Sequence, residues 1–155
     1  MNLRKTIFIS INVSLCIIQL FTFNQSFAEE IVYSHAIVTT SIGEEIPVEV
    51  ADTLKKRSLG LGKRASLKKD WGMLFVFEKK ELHRFWMKDM LFPLDIIWLD
   101  NHRIVHIIHN AMPANYKVEP EVMTSPVPAN FVLEIAAGRA SELQLKAGQR
   151  LKFKF

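Results

Sequence analysis

One stretch of the sequence, residues 85–100 (FWMKDMLFPLDIIWLD), limits the possible folds more than any other. It is the densest apolar and aromatic segment beyond the N-terminal region, and it also contains Lys88, Asp89 and Asp95. A run this apolar must be buried, and a buried charge is costly unless it is paired or hydrogen-bonded. The stretch therefore predicts either a core hairpin with an internal ion pair or the wall of a binding site.

The first 28 residues are typical of a secretory signal peptide. Arg4 and Lys5 form a basic start, an apolar run at residues 7–23 follows, and small residues precede a predicted cleavage after Ala28. The apolar run is short and polar for a membrane span, which needs ~20 apolar residues. We therefore expect a periplasmic or secreted protein with no stable membrane span after cleavage.

The remaining residues, 29–155, predict a single domain with its own core. Removing Arg4 and Lys5 from the 20 basic residues leaves 18 against 16 acidic ones, so the net charge falls from +4 to +2. A charge this small, without a basic stripe, gives no case for nucleic-acid binding. The only cysteine, Cys16, leaves with the signal peptide, so no disulfide is expected.

The pattern of apolar residues predicts short strands and two short helices. The predicted helices cover residues 53–59 and 138–145. The predicted strands cover residues 33–40, 46–50, 72–77, 83–88, 94–100, 103–109, 131–135 and 150–155. This arrangement favours a mainly β (α+β) fold, either a compact antiparallel β-sandwich or a partly open barrel of seven to eight short strands.

A long proline-rich loop is predicted at residues 110–130, which contain four of the six prolines. Loops of this length in compact domains are usually functional or mobile. Because it follows the strand at residues 103–109, we expect Met112 and Pro113 to form the rim of any site on the neighbouring sheet.

Strand alternation groups polar side chains around the central stretch. We assume a two-residue turn at Asn101 and His102, and pairing of Lys88 with Asp95 across the preceding loop. Period-two alternation then separates an apolar face from a mixed one, and a one-residue shift in register would break up the grouping. The mixed face consists of Arg84, Trp86, Lys88, Asp95, Ile97 and His106.

Two interpretations of the mixed face remain open. It forms a pocket with Trp86 as an apolar wall and Lys88 and Asp95 as polar contacts, joined by Arg84 and His106. Alternatively, Lys88 and Asp95 are a structural cross-strand ion pair beneath a tryptophan that covers the core.

The chain resembles a prokaryotic family, the domain of unknown function 192 family. The similarity is strongest at residues 85–88 (FWMK) and 93–100 (PLDIIWLD). Further matches lie at residues 48–52 (VEVAD), 57–62 (RSLGLG), 72–77 (GMLFVF), 131–135 (FVLEI) with Gly138, and 146–148 (KAG).

The resemblance implies a compact, largely β domain, often behind a signal peptide, and brings no settled activity. It draws attention to Trp86, Met87, Lys88, Pro93, Leu94 and Asp95. The chain departs from the family pattern at Asp89, where asparagine is usual, and at Leu61-Gly62, where a Leu-Met pair is common. It also lacks the cysteine that many relatives carry just beyond Met112-Pro113, so a role resting on that cysteine cannot operate here.

Other chemistry is less well supported by the sequence. His102, His106 and His109 suggest zinc, or copper with help from methionines, but strand alternation separates His109 from the other two. No phosphate loop or dinucleotide fingerprint is present, so no cofactor is expected.

The leading interpretation is a small periplasmic binding or accessory domain without catalysis of its own, whose partner is a small molecule or an envelope component. The alternatives are an envelope-acting hydrolase or lyase with Asp95 as base and Lys88 as its electrostatic partner, and copper or zinc handling through histidines and methionines.

Overall fold

The computed structural model describes residues 30–114 and 121–155, which form strands joined by short helices and loops. The helices are α1 (Leu54–Leu59) and α2 (Arg139–Glu142). The strands are β1 (Ser34–Thr39), β2 (Glu45–Ala51), β3 (Gly72–Glu81), β4 (Arg84–Phe85), β5 (Leu94–Asp100), β6 (Arg103–Ala111), β7 (Met123–Thr124), β8 (Ala129–Ala136) and β9 (Lys152–Lys154). The predicted signal peptide lies outside the described residues. Within them, no helix is long and apolar enough to span a membrane.

Seven strands form one curled sheet in the order β6-β5-β8-β3-β2-β1-β9. β2 and β3 run parallel, which requires a crossover connection, and residues 52–71 with α1 provide it. The two ends of the sheet meet through backbone hydrogen bonds: Ile104 N donates to Gln149 O at 2.9 Å, and Leu151 N donates to His102 O at 2.8 Å. The predicted mainly β fold is confirmed, in its partly open barrel form.

A second, two-stranded sheet has one strand, β7, within the segment that the sequence predicted to be an irregular loop. β4 pairs with β7, with Phe85 opposite Met123 and Arg84 opposite Thr124. The extra strand β7 brings the described strands to nine, against the seven to eight expected. It also attaches the far end of the proline-rich loop to the segment that carries Trp86.

Two hydrophobic clusters lie on opposite faces of the large sheet. Strand β5 contributes to both, because six of its seven residues are buried. One face of β5 carries Ile97 and Leu99, which pack with α2 and β9, and the other carries Ile96 and Trp98. The second cluster is covered by β4, β7 and the loop after α1, and it borders the site described below.

The predicted pairing of Lys88 with Asp95 is wrong. Strand β5 is hydrogen-bonded to β6 along one edge and to β8 along the other, so no edge remains for the segment that carries Lys88. The β5–β6 turn begins as predicted, with Leu99 opposite Ile104. A bulge then shifts the register, and His106 lies opposite Trp98 rather than Ile97.

Candidate functional site

A cavity of about 220 Å³ opens between α1, β3, residues 84–90 and β8. We call it the Glu134 cavity. It is lined by Leu54, Arg57, Ser58, Leu59, Gly60, Leu61, Gly62, Phe75, Phe77, Arg84, Phe85, Trp86, Lys88, Met90 and Glu134. An adjoining hollow of about 230 Å³ adds Lys63 and Asp89 and shares Trp86 and Lys88 with it.

Glu134 forms the buried floor of this cavity. Its cross-strand neighbours are Met73 on β3 and Ile96 on β5, both fully buried, and only 6% of Glu134 itself is exposed. No side chain or backbone group of the described residues donates a hydrogen bond to its carboxyl group. Burial in these apolar surroundings raises the pKa of Glu134 to about 8, because the charged form loses its hydration.

The strands around Glu134 are packed closely because of Gly72. A methyl group at Gly72 would lie 2.7 Å from the carbonyl oxygen of Glu134 and 2.9 Å from Cγ2 of Ile135. Glycine at this position therefore lets β3 approach β8 closely beside the acidic residue.

The mouth of the cavity is formed by β4 and the residues that follow it. Trp86 is 54% exposed, which is unusual for a side chain of this size. Arg84 and Lys88 are also exposed, and neither makes an ion pair or side-chain hydrogen bond with the described part of the chain. The mouth therefore presents one aromatic surface and two cations that have no partner within the described structure.

Helix α1 supplies the opposite wall. Thr53 caps it by accepting a hydrogen bond from Lys56 N at 3.2 Å. Arg57 Nη1 donates to the carbonyl oxygens of Asp52 and Val76, both at 2.8 Å, and its guanidinium carbon lies 5.0 Å from the centre of the Phe77 ring. Arg57 therefore ties α1 to β3 and keeps its positive charge beside the cavity.

The loop after α1 is joined to the segment that carries Lys88. Lys63 N donates to Asp89 O at 2.8 Å, and both residues adopt left-handed backbone conformations, with φ of 63° and 59°. Gly60 also has a positive φ of 51°, and a methyl group there would lie 3.3 Å from Phe75. The hydrogen bond between Lys63 and Asp89 therefore joins the two sides of the cavity mouth.

Asp95 lies on the opposite face of the sheet from the Glu134 cavity. It is fully buried beside Ile135, in the cluster that packs against α2. Its Oδ1 accepts a hydrogen bond from Asn110 N and its Oδ2 from Ala140 N, both at 2.8 Å. Asp95 therefore fastens the end of β6 and the start of α2 to β5, and the structure does not bring it together with Trp86 and Lys88.

Three further residues predicted for the site, His106, Met112 and Pro113, also lie outside the cavity lining. His106 packs against Trp98, with ring centres 5.5 Å apart. Met112 is exposed, and with Pro113 it precedes Ala114, whose N–H donates to the carbonyl oxygen of Met87 at 3.2 Å. The start of the proline-rich loop is therefore hydrogen-bonded to the segment that carries Trp86 and Lys88.

The histidines occupy separate parts of the structure. His102 contacts Leu151 O, His83 stacks on Phe77, and His109 lies 3.9 Å from Asp95. Across residues 30–114 and 121–155, no three side chains of the His, Cys, Asp and Glu types come together as a metal site would require. The buried methionines near the cavity, Met73, Met87, Met90 and Met123, belong to the second hydrophobic cluster.

A model of the domain of unknown function 192 (DUF192) family, described as "Uncharacterized ACR", matches residues 36–153. The chain belongs to the DUF192 family. The resemblance drawn from the sequence motifs is therefore confirmed. The matched residues include every residue that lines the Glu134 cavity of this DUF192 domain.

Two crystal structures share the fold. A candidate transcription regulator from Sinorhizobium meliloti 1021 is 30% identical, with a TM-score of 0.71, covering 80% of this chain and 97% of that one. A protein of unknown function from Novosphingobium aromaticivorans DSM 12444 is also 30% identical, with a TM-score of 0.68, covering 77% of this chain and 84% of that one. No curated protein matches the sequence.

Glu134 is the residue of this DUF192 domain that sequence reasoning missed. It stands in the apolar run FVLEI of residues 131–135, where a single acidic residue on a buried strand was the available signal. Its proximity to Trp86 and Lys88 depends on the pairing of β4 with β7, which the sequence pattern does not reveal.

Proposed function

We propose that this DUF192 domain binds a small molecule in the Glu134 cavity, and that it does so in the periplasm or outside the cell. The observation that supports binding is a buried carboxyl group that faces a cavity and has no hydrogen-bond partner in the described structure. Such a group destabilises the fold, since it gives up hydration without a replacement. Buried ionisable groups of this kind are found mostly where a ligand or a reaction needs them.

The shape and chemistry of the cavity support the same proposal. Small-molecule sites are concave, mostly apolar and carry a few polar groups that orient the ligand. Here the apolar wall includes Phe75, Phe85 and Met90, and the polar groups include Lys88 and Glu134. Because typical sites enclose ~300–1,000 Å³, a cavity of about 220 Å³ suits a small ligand or one end of a larger one.

A hydrolase or lyase with Asp95 as base is not supported by the geometry. A general base must reach its substrate, and Asp95 is fully buried with both carboxylate oxygens hydrogen-bonded to the backbone. A role in transcription, which the name of the Sinorhizobium relative suggests for that protein, is not proposed for this chain, because the cations near the site line a concave cavity and form no basic stripe.

Blocking the mouth of the cavity tests the proposal. Ser58 is an exposed residue of α1 that lines both the cavity and the adjoining hollow, so Ser58→Phe would place a ring in the opening. We expect small organic acids, alcohols and amines, screened as a set, to include members that shift the indole N–H signal of Trp86 in NMR spectra. The Ser58→Phe variant should weaken their binding at least about tenfold.

The matched control is Ser66→Phe, which adds the same ring at an exposed loop position outside the cavity lining. It should bind the same compounds as the unmodified protein. If no compound shifts the Trp86 signal, or if Ser58→Phe binds as well as the control, the cavity is not a binding site and the proposal fails.

Export rests on the predicted signal peptide and is tested separately. Expressed with its full N-terminal sequence in a Gram-negative host, the protein should be recovered from the periplasmic fraction with Glu29 as its first residue. N-terminal sequencing gives the cleavage position. Recovery of the uncleaved chain from the cytoplasm would contradict the extracytoplasmic part of the proposal.

A further inference from the structure

The charges around the Glu134 cavity are unequally distributed, and this restricts the class of ligand. Arg57, Arg84 and Lys88 line it, and Glu134 is the acidic residue of the lining. Each of these cations comes from the wall or the exposed mouth, whereas Glu134 lies at the buried floor. The positive potential of the mouth therefore favours an anionic ligand.

The floor differs from the mouth in its electrostatics. Burial in these apolar surroundings raises the pKa of Glu134 to about 8. The strands that flank Glu134 present only the apolar side chains of Met73 and Ile96. At neutral pH the floor therefore presents a neutral carboxylic acid, which can donate one hydrogen bond and accept others.

The surface between mouth and floor is aromatic. Phe75, Phe77 and Phe85 form a cluster in which Phe85 makes edge contacts with both other rings, at 5.0 and 6.3 Å. All three line the cavity, and Trp86 extends this surface to the mouth. A flat apolar body would fit this surface and bury aromatic area at small entropic cost.

We propose that the cavity binds a small organic anion with an aromatic or other apolar body, its acid group held at the mouth by Lys88 and Arg84 and its opposite polar end hydrogen-bonded to Glu134. This inference rests on the proposed function and adds the chemical class of the ligand to it. A cationic ligand is disfavoured, because it would have to pass three positive side chains to reach Glu134.

Three probes that share a phenol ring and differ in end-group charge test the ligand class. These are 4-hydroxyphenylacetate, tyrosol and tyramine, which end in an anionic, a neutral and a cationic group. We expect 4-hydroxyphenylacetate to bind at least about tenfold more tightly than tyrosol and tyramine to bind more weakly still, when followed by the Trp86 indole signal. Lys88→Ala should weaken binding of the anion about tenfold, while Lys152→Ala, at an exposed position on β9, leaves it unchanged.

Binding of the anion should also weaken as the pH rises through about 8, since ionised Glu134 would repel it. Glu134→Gln keeps a neutral hydrogen-bonding group, so it should retain binding and lose this pH dependence. Equal or tighter binding of tyrosol or tyramine would overturn the inference and leave the proposed function standing. If none of the three probes and no member of the wider set shifts the Trp86 signal, the inference and the proposed function are both overturned.

Discussion

Asp95→Asn is expected to lower the free energy of unfolding by about 2–4 kcal/mol while leaving the Glu134 cavity able to bind. Both oxygens of Asp95 accept backbone N–H groups, from Asn110 and Ala140, at a fully buried position. Asparagine offers one acceptor oxygen and turns an NH₂ group towards the second N–H, so one buried donor loses its partner. Urea unfolding gives the change in stability.

Asp100→Asn provides the matched control, because Asp100 lies at the partly exposed end of the same strand and pairs with Lys80 on the surface. Loss of this ion pair should lower the free energy of unfolding by less than about 1 kcal/mol. Under conditions where the Asp95→Asn variant stays folded, it should bind the cavity probes within about twofold of the unmodified protein. Lost binding by a folded, stable Asp95→Asn variant would show that Asp95 belongs to the site after all.

The stability of the protein should fall as the pH rises from about 5 to about 8, relative to the Glu134→Gln variant. Burial raises the pKa of Glu134 from 4.5 to about 8 in the folded chain, so over this range the folded state holds a proton that the unfolded state has released. Raising the pH therefore favours unfolding, by roughly 1.4 kcal/mol for each pH unit.

The contribution of the raised pKa of Glu134 to the free energy of unfolding is fully present below about pH 4.5. It falls as the pH rises and is lost at about pH 8. Glutamine cannot ionise, so the variant should match the unmodified protein in acid and exceed its stability at about pH 8. Urea unfolding of both proteins at several pH values gives the difference. A difference that does not vary with pH would mean that Glu134 ionises in the folded protein as it does in water.

Local sequence patterns were sufficient to predict much of the fold. A short helix was predicted over residues 53–59, and Thr53 caps the helix that forms there. Asn101 takes the positive φ of 53° that a two-residue turn requires. The alternation of residues 94–100 and 103–109 gave the correct strands. In each case the decisive interaction lies within a few residues along the chain.

The candidate site was predicted only in part, because it depends on long-range pairing. Trp86 and Lys88 were correctly expected on a common surface, since alternation within one segment places them together. The prediction that Asp95 joins them was wrong, because β5 pairs with β8, a strand more than thirty residues further along the chain. Glu134 shares the cavity lining with Trp86 and Lys88 instead, and a one-residue bulge displaces His106.

The ionisation of Glu134 is the property that joins the fold to the proposed function. It can be measured directly from the ¹³C NMR signal of the Glu134 side-chain carboxyl group during a pH titration, assigned by its absence in Glu134→Gln. We predict a midpoint near 8 for the free protein and a higher midpoint in saturating 4-hydroxyphenylacetate, because a bound anion stabilises the neutral carboxyl group. A midpoint near 4.5 in the free protein would contradict the account, since Glu134 would then be hydrated rather than buried at the floor of the cavity.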